Sequence, residues 1–95
     1  MTAEEKLIFR AHALGRMFER RISADDVRNV LKSGSTIEEY PDDTPYPSRL
    51  VLGRAGGRPI HVVAARNDAR CETIVVTVYE PDPDQWDAEY RRRKP

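Results

Sequence analysis

The chain has almost no cysteine: Cys71 is the only one among 95 residues. It therefore closes no disulfide within itself and offers no thiolate cage for zinc. Its two histidines and single cysteine are too scattered along the sequence to ligate a metal together, so neither a metal nor a cofactor is expected. Long apolar runs are missing as well, and the opening stretch MTAEEKLIFRAH is charged throughout. That excludes a signal peptide or a membrane span there, and the expectation is a cytoplasmic protein without membrane contact. Neither sign of charge is in surplus, with 16 basic and 16 acidic side chains. A bulk polycation is excluded, and any nucleic-acid contact must come from a local basic patch. No glycine-rich phosphate loop precedes a helix, because Gly56-Gly57 reads as a hairpin turn.

What is present is one domain's worth of chain, residues 1–95, whose apolar residues fall into periodic segments. A domain of this size buries roughly 60–65% of its unfolded surface, so a second subunit would help, and a homodimer is among the expected assemblies. Residues 4–20 read as a helix in which Leu7, Ala11, Leu14 and Phe18 make the apolar stripe. Glu5, Phe9, His12, Arg16 and Arg20 then lie on the opposite side. Ser23 reads as the N-cap of a second helix, answered by Asp26 in a capping box, with Val27, Val30 and Leu31 apolar and Ser33-Gly34 at the end.

Four strands are predicted, at 35–40, 49–54, 59–66 and 72–79. A three-residue Ala55-Gly56-Gly57 loop would set Leu50 and Leu52 beside Val62 and Ile60, which is the better hydrophobic match. Strict alternation in the last strand puts Ile74, Val76 and Val78 inside. Asp82-Pro83 with Gln85 reads as the start of a short C-terminal helix, with Trp86 and Tyr90 on one side. The expected fold is α+β: two N-terminal helices on a four-stranded antiparallel sheet, closed by that short helix.

The candidate chemistry centres on His61, which faces away from the main apolar set and titrates near neutral pH. In the expected register Arg49 and Tyr79 share its sheet face. A general acid or base at His61, a guanidinium at Arg49 able to stabilise a pentacovalent phosphate, and a phenol at Tyr79 to orient a substrate would suit metal-independent RNA cleavage. The plainer alternatives are a strand histidine bonded to a neighbour, a salt bridge for Arg49 and packing for Tyr79. His12, Arg16 and Arg20 recur at four-residue steps along one helix face, either as a solvated row or as an RNA- and phosphate-binding row. Phe9, framed by those basic groups, is a candidate partner-docking residue. The terminal Arg91, Arg92, Arg93 and Lys94 read as a solvated tail or as further phosphate contacts.

The blocks HALGRMFERRIS and ADDVRNVLKSG, followed by YPSRLVLGRAGGRPIHVVAARNDARCETIVVTVYEPDPDQW, resemble domain-of-unknown-function family 4258 in order and spacing. Arg21 stands where many relatives have glycine. That family resembles the RelE/ParE toxin superfamily and BrnT-type toxins. The resemblance implies helices packed on a small antiparallel sheet and an mRNA endonuclease, acting freely or on the ribosome. It also implies a small antitoxin partner, in some relatives of a zinc-finger type. RelE-type nucleases place lysines on the sheet, and the predicted strands here have none. The alternative reading is a non-catalytic protein-binding module of the same fold.

Overall fold

In the computed structural model, which describes residues 6–95, the chain opens with a strand and not a helix. β1 (Lys6–Phe9) is followed by α1 (Ala11–Arg20), α2 (Ala24–Ser33), β2 (Ser35–Tyr40), β3 (Ser48–Ala55), β4 (Arg58–Asn67) and β5 (Glu72–Tyr79). The sheet has five strands in the order β1-β5-β4-β3-β2. β1 runs parallel to β5, with Phe9 opposite Val75, and the other pairs are antiparallel. The class is α+β, but the expected four-stranded antiparallel sheet behind two leading helices is corrected to this mixed sheet. The KLIF segment is too short to show alternation, and Leu7 happens to fall in helical register with Ala11. Only the free edge of β5, distant in sequence, gives its backbone hydrogen-bonding partners. The expected helical residues 4 and 5 lie outside the described residues. Among the described residues no helix is long and apolar enough to cross a membrane.

β1 also sets the rotation of α1. The Arg10 amide donates to the Val75 carbonyl at 3.1 Å, and the Leu14 amide donates to the Arg10 carbonyl at 3.0 Å. The helix thus starts immediately off the sheet and buries Ala13 and Met17. The expected inner stripe faces water: Leu14 is 51% and Phe18 88% exposed. α1 ends at Arg21, left-handed at φ 55°, whose amide bonds Met17 and Phe18 carbonyls. A side chain in that region costs roughly 1 kcal/mol relative to glycine. The turn it makes carries Ile22 into the core, where it is 4% exposed.

α2 forms as its sequence signals. Ser23 Oγ accepts from the Asp26 amide at 3.0 Å, and Asp26 Oδ2 accepts from the Ser23 amide at 2.9 Å, completing the capping box. Val27 and Val30 are buried, and the helix stops at Ser33. It lies close over β3: a Cβ built on Gly53 would stand 3.0 Å from the Val30 Cα.

The β3–β4 hairpin takes the register that hydrophobic matching disfavours. Ala55 pairs with Arg58 around a two-residue Gly56-Gly57 turn, Leu50 faces Val63, and Leu52 faces His61. Both glycines have positive φ, 56° and 82°, as a type I′ turn requires, and its twist matches that of the flanking strands. β5 adds a bulge: Val63 pairs with Thr77 but Ala64 with Val75, leaving Val76 without a partner. The strand residues packed with the helices are consequently Val51, Ala55, Ile60, Val62, Ala64, Val75 and Val78. Of the expected inner set, Ile60, Val62, Ala64 and Val78 are among them, and Leu50, Leu52, Ile74 and Val76 are not.

The mismatch is tolerated because the second face is covered too. Residues 80–95 fold across it without forming the expected C-terminal helix. The Gln85 and Trp86 amides both donate to the Asp82 carbonyl, making one turn. The chain then doubles back, with the Asp87 carboxylate accepting from the Glu89 and Arg91 amides and Trp86 bridging to Arg93. Trp86 is buried at 2% exposure.

Aspartate substitutions in β5 separate the observed and expected inner faces. Val75→Asp places an unpaired charge in the core beneath α1 and should cost about 3 kcal/mol or more in urea unfolding. Val76→Asp should stay within about 1 kcal/mol of the parent, because this bulged residue is 36% exposed.

Candidate functional site

The observed register aligns Leu52, His61 and Tyr79 across β3, β4 and β5, on the face away from the helices. His61 is fully buried. Its Nε2 lies 2.8 Å from the Tyr90 carbonyl, which can only accept, so Nε2 carries the ring proton. Nδ1 is then free to accept from the Tyr79 hydroxyl at 3.1 Å. Trp86 stands edge-on to the imidazole with ring centroids 4.4 Å apart, and Tyr79 does so at 5.1 Å. Burial pushes the His61 pKa below its ordinary value, against an upward pull from the Tyr90 carbonyl; the Arg93 charge lowers it further.

Two residues not singled out in the sequence, Glu38 and Tyr40, and Arg93, expected in a solvated or phosphate-contacting tail, complete this network. Tyr40 donates a short hydrogen bond to the Glu38 carboxylate. Burial, and then that carboxylate, push the Tyr40 phenol up to about 12. Burial also raises Tyr79. Arg93 sits 4.9 Å over the Trp86 ring, and its charge acts on Tyr40, His61 and Tyr79. Glu38 and Tyr40 lie two apart beyond the β2 bulge, opposite Leu50 and Ser48, so their spacing in the sequence was the signal that they share a face.

Arg49 does not join His61. It pairs with Ala64, which packs with the helices, so it lies on the opposite sheet face. The expected triad of Arg49, His61 and Tyr79 on one face is therefore reduced to His61 and Tyr79. The physical reason is the one-residue difference in hairpin register, which inverts β4 relative to β3. The Arg49 guanidinium donates to Thr36 Oγ1 at 3.2 Å. It lines an open cleft of about 430 Å³ with Glu39, Ser48, Ala65, Arg66 and Thr73. Within it Arg66 is held by Asp68 at 2.9 Å. A second cleft, of about 330 Å³, lies among Arg10, His12, Tyr46, Ser48, Ala65 and Val76. The two share Ser48 and Ala65 and border a depression along residues 41–48, but strand register puts Thr77, the partner of His12, on the face of His61 and Arg49 on the other.

His12 is the exposed imidazole of the chain. It starts α1, and its Nε2 lies 3.2 Å from Thr77 Oγ1. Arg16, exposed, pairs with Glu19 at 3.7 Å. Arg20 is also exposed, with its carbonyl accepting from Arg58. Phe9 is corrected from the helix face to β1, where it is half-buried against the core. The feature that suggested it as a docking residue, a ring framed by His12, Arg16 and Arg20, is absent. Among the described residues no group of histidine, cysteine, aspartate and glutamate side chains is placed to hold a metal ion.

The buried neutral imidazole has a pH signature. The unfolded chain takes up a proton at His61 near pH 6.5, whereas the folded protein does so only at lower pH. Between those values the unfolded state binds more protons, so stability falls as pH falls. The His61 contribution is complete above about pH 6.5, and the melting temperature should drop as pH falls below that. His61→Gln should melt lower at neutral pH and lose most of that slope. An unchanged slope would mean that His61 protonates freely in the folded protein.

A family model described as Domain of unknown function (DUF4258) matches residues 9–80. No curated protein and no solved structure matches the chain. The matched segment runs from Phe9 at the end of β1 through β5, the body that holds His12, Arg49, His61 and Tyr79 in place, and by this match the chain belongs to the DUF4258 family.

Proposed function

We propose that this DUF4258 protein is a toxin-like protein acting on RNA, and that RNA lies in the depression along residues 41–48 and not over His61. The resemblance to the RelE/ParE and BrnT-type toxins motivates RNA as the substrate. The observation that supports the site is His12: an exposed imidazole, hydrogen-bonded to Thr77, at a cleft with Arg10 that shares Ser48 and Ala65 with the one lined by Arg49 and Arg66. A phosphodiester needs cations that stay accessible, and Arg49 spends its guanidinium only on the neutral hydroxyl of Thr36.

In this reading neutral His12 takes the proton of an RNA 2′-hydroxyl as its oxygen attacks phosphorus. The bond to the 5′-oxygen breaks, leaving a 2′,3′-cyclic phosphate, and water protonates the departing oxygen. Arg10, which lines the same cleft as His12, stabilises the pentacovalent phosphate electrostatically, and Arg49 holds a neighbouring phosphate of the strand. His61 and Tyr79 hold the C-terminal segment in place. A non-catalytic binding module is the second reading. It is favoured by the burial of His61, which leaves the depression with one imidazole, and by the Glu39 and Asp43 carboxylates that line it beside the arginines.

Single-stranded RNA titrations by fluorescence polarisation, with gel analysis of the products, test this. Binding should weaken steeply with salt. Arg49→Ala should weaken it about tenfold, the scale of one charge-assisted contact. His12→Ala should retain binding within a few-fold, stop cleavage, and relieve any growth arrest caused by induced expression. Binding without cleavage in the parent selects the module. No RNA binding at low salt, or an inert Arg49→Ala, would sink the site.

A further inference from the structure

The C-terminal segment is a self-closed unit set against the sheet. The Lys94 amide donates to the Gln85 carbonyl at 2.8 Å and the Asp87 amide to the Arg92 carbonyl at 2.9 Å, while the Asp87 carboxylate accepts from amides of the turn between them. Among the described residues, all backbone–backbone hydrogen bonds of residues 81–95 are internal to the segment, and no ion pair joins it to the rest of the chain. Two hydrogen bonds and one ring fasten it. His61 Nε2 donates to the Tyr90 carbonyl, Arg91 donates to Ser35 Oγ at 3.5 Å, and buried Trp86 stands edge-on to His61. Tyr90 offers its carbonyl from a left-handed conformation at φ 61°, which a side chain disfavours. The segment can therefore lift as a body and keep its own hydrogen bonds.

It covers the continuation of the cleft that holds His12. On this face β3, β4 and β5 present three successive rungs: Ser48, Ala65 and Ile74; Leu50, Val63 and Thr77; Leu52, His61 and Tyr79. The cleft with Arg10 touches the first, His12 bonds Thr77 on the second, and Trp86 and Tyr90 seal the third at His61. Neighbouring rungs on one face stand about 7 Å apart, a distance that a phosphodiester can bridge with a hydrogen bond at each end. The charged and titratable groups around His61 are Tyr79 on β5, Glu38 with Tyr40 on β2, and Arg93 on the segment. Burial and Arg93, which disfavour the imidazolium, leave with the segment, whereas Glu38, which favours it, stays. Nε2 is then free, and an uncovered histidine titrates near neutral pH.

We infer that residues 81–95 are an autoinhibitory strap, and that its displacement delivers His61 as the proton donor for RNA cleavage at His12. The inference rests on the RNA reading above and concerns regulation of that same site. With the strap down, water protonates the departing 5′-oxygen. With it lifted, His12 takes the 2′-hydroxyl proton, the 2′-oxygen bonds to phosphorus, and the bond to the 5′-oxygen breaks. That oxygen takes the Nε2 proton of the His61 imidazolium, as a general acid supplies it. The products are a 2′,3′-cyclic phosphate, a 5′-hydroxyl, protonated His12 and neutral His61. Proton exchange with water restores both histidines.

The experiment compares the full-length parent, Trp86→Ala, and Trp86→Ala combined with His61→Ala, using single-stranded RNA and a ring-proton NMR titration of the histidines. Trp86→Ala should speed cleavage about tenfold, below the full scale of general acid catalysis because the strap is loosened and not removed. Adding His61→Ala should return the rate to that of the parent. In the titration His61 should take up its proton at higher pH in Trp86→Ala than in the parent. Should Trp86→Ala fail to fold, Arg93→Ala loosens the strap from outside the core and should move both readouts in the same direction. A rate that loosening does not raise, a raised rate that His61→Ala does not lower, or an unshifted His61 would each overturn the inference. Those results leave RNA binding and His12-dependent cleavage standing. Absence of RNA binding in the parent and the variants alike would instead remove the RNA reading, and the inference with it.

Discussion

The two-residue turn at Gly56-Gly57 decides what lies on each side of the sheet. Both glycines take positive φ, so β4 returns with Leu52 opposite His61. A turn one residue longer would move every β4 side chain to the other face relative to β3. His61 would then face the helices or share a face with Arg49. With the turn as it is, the imidazole meets Tyr79 on one side of the sheet, and Arg49 opens to a cleft on the other.

His61 becomes a structural centre because both ring nitrogens have partners. One holds the backbone of the returning C-terminal segment, the other a tyrosine of β5, and Trp86 packs against the ring. An imidazole kept neutral by burial suits this position, because protonation would remove the acceptor that Tyr79 uses. The segment carrying Trp86, Tyr90 and Arg93 gives Leu50 and Leu52 a cover they would otherwise lack. The sheet can therefore be apolar on both faces, and the hairpin has no need to collect its large side chains on one.

The accessible chemistry is displaced to the other edge of these elements. α1 starts directly off β1, so His12 stands at Thr77 and shares a cleft beside residues 41–48 with Arg10, while Arg49 and Arg66 line the neighbouring one. The same rotation of α1 turns Leu14 and Phe18 outward. Both surfaces follow from one short parallel strand, since the hydrogen bond from Arg10 to Val75 fixes where the helix begins.

Features set by local chemistry were legible in the chain itself. The α+β class, α2 with its Ser23–Asp26 capping box, the stop at Ser33 and the approximate places of β2 to β5 depend on propensities and hydrogen bonds among near neighbours. The pairing of His61 with Tyr79 was legible as well. What tertiary structure decided is everything that turns on parity or on distant pairing. β1 is too short to announce itself and forms only on the edge of β5. Leu14 with Phe18 and Ala13 with Met17 are both valid helical stripes, and the choice between them was made by where β1 ends. The bulge at Val76 interrupts the alternation of β5, and the hairpin turn inverts β4. Periodicity reports which residues share a face, but a single unpaired residue reverses that report, and only the packing of both faces settles which parity is lower in free energy.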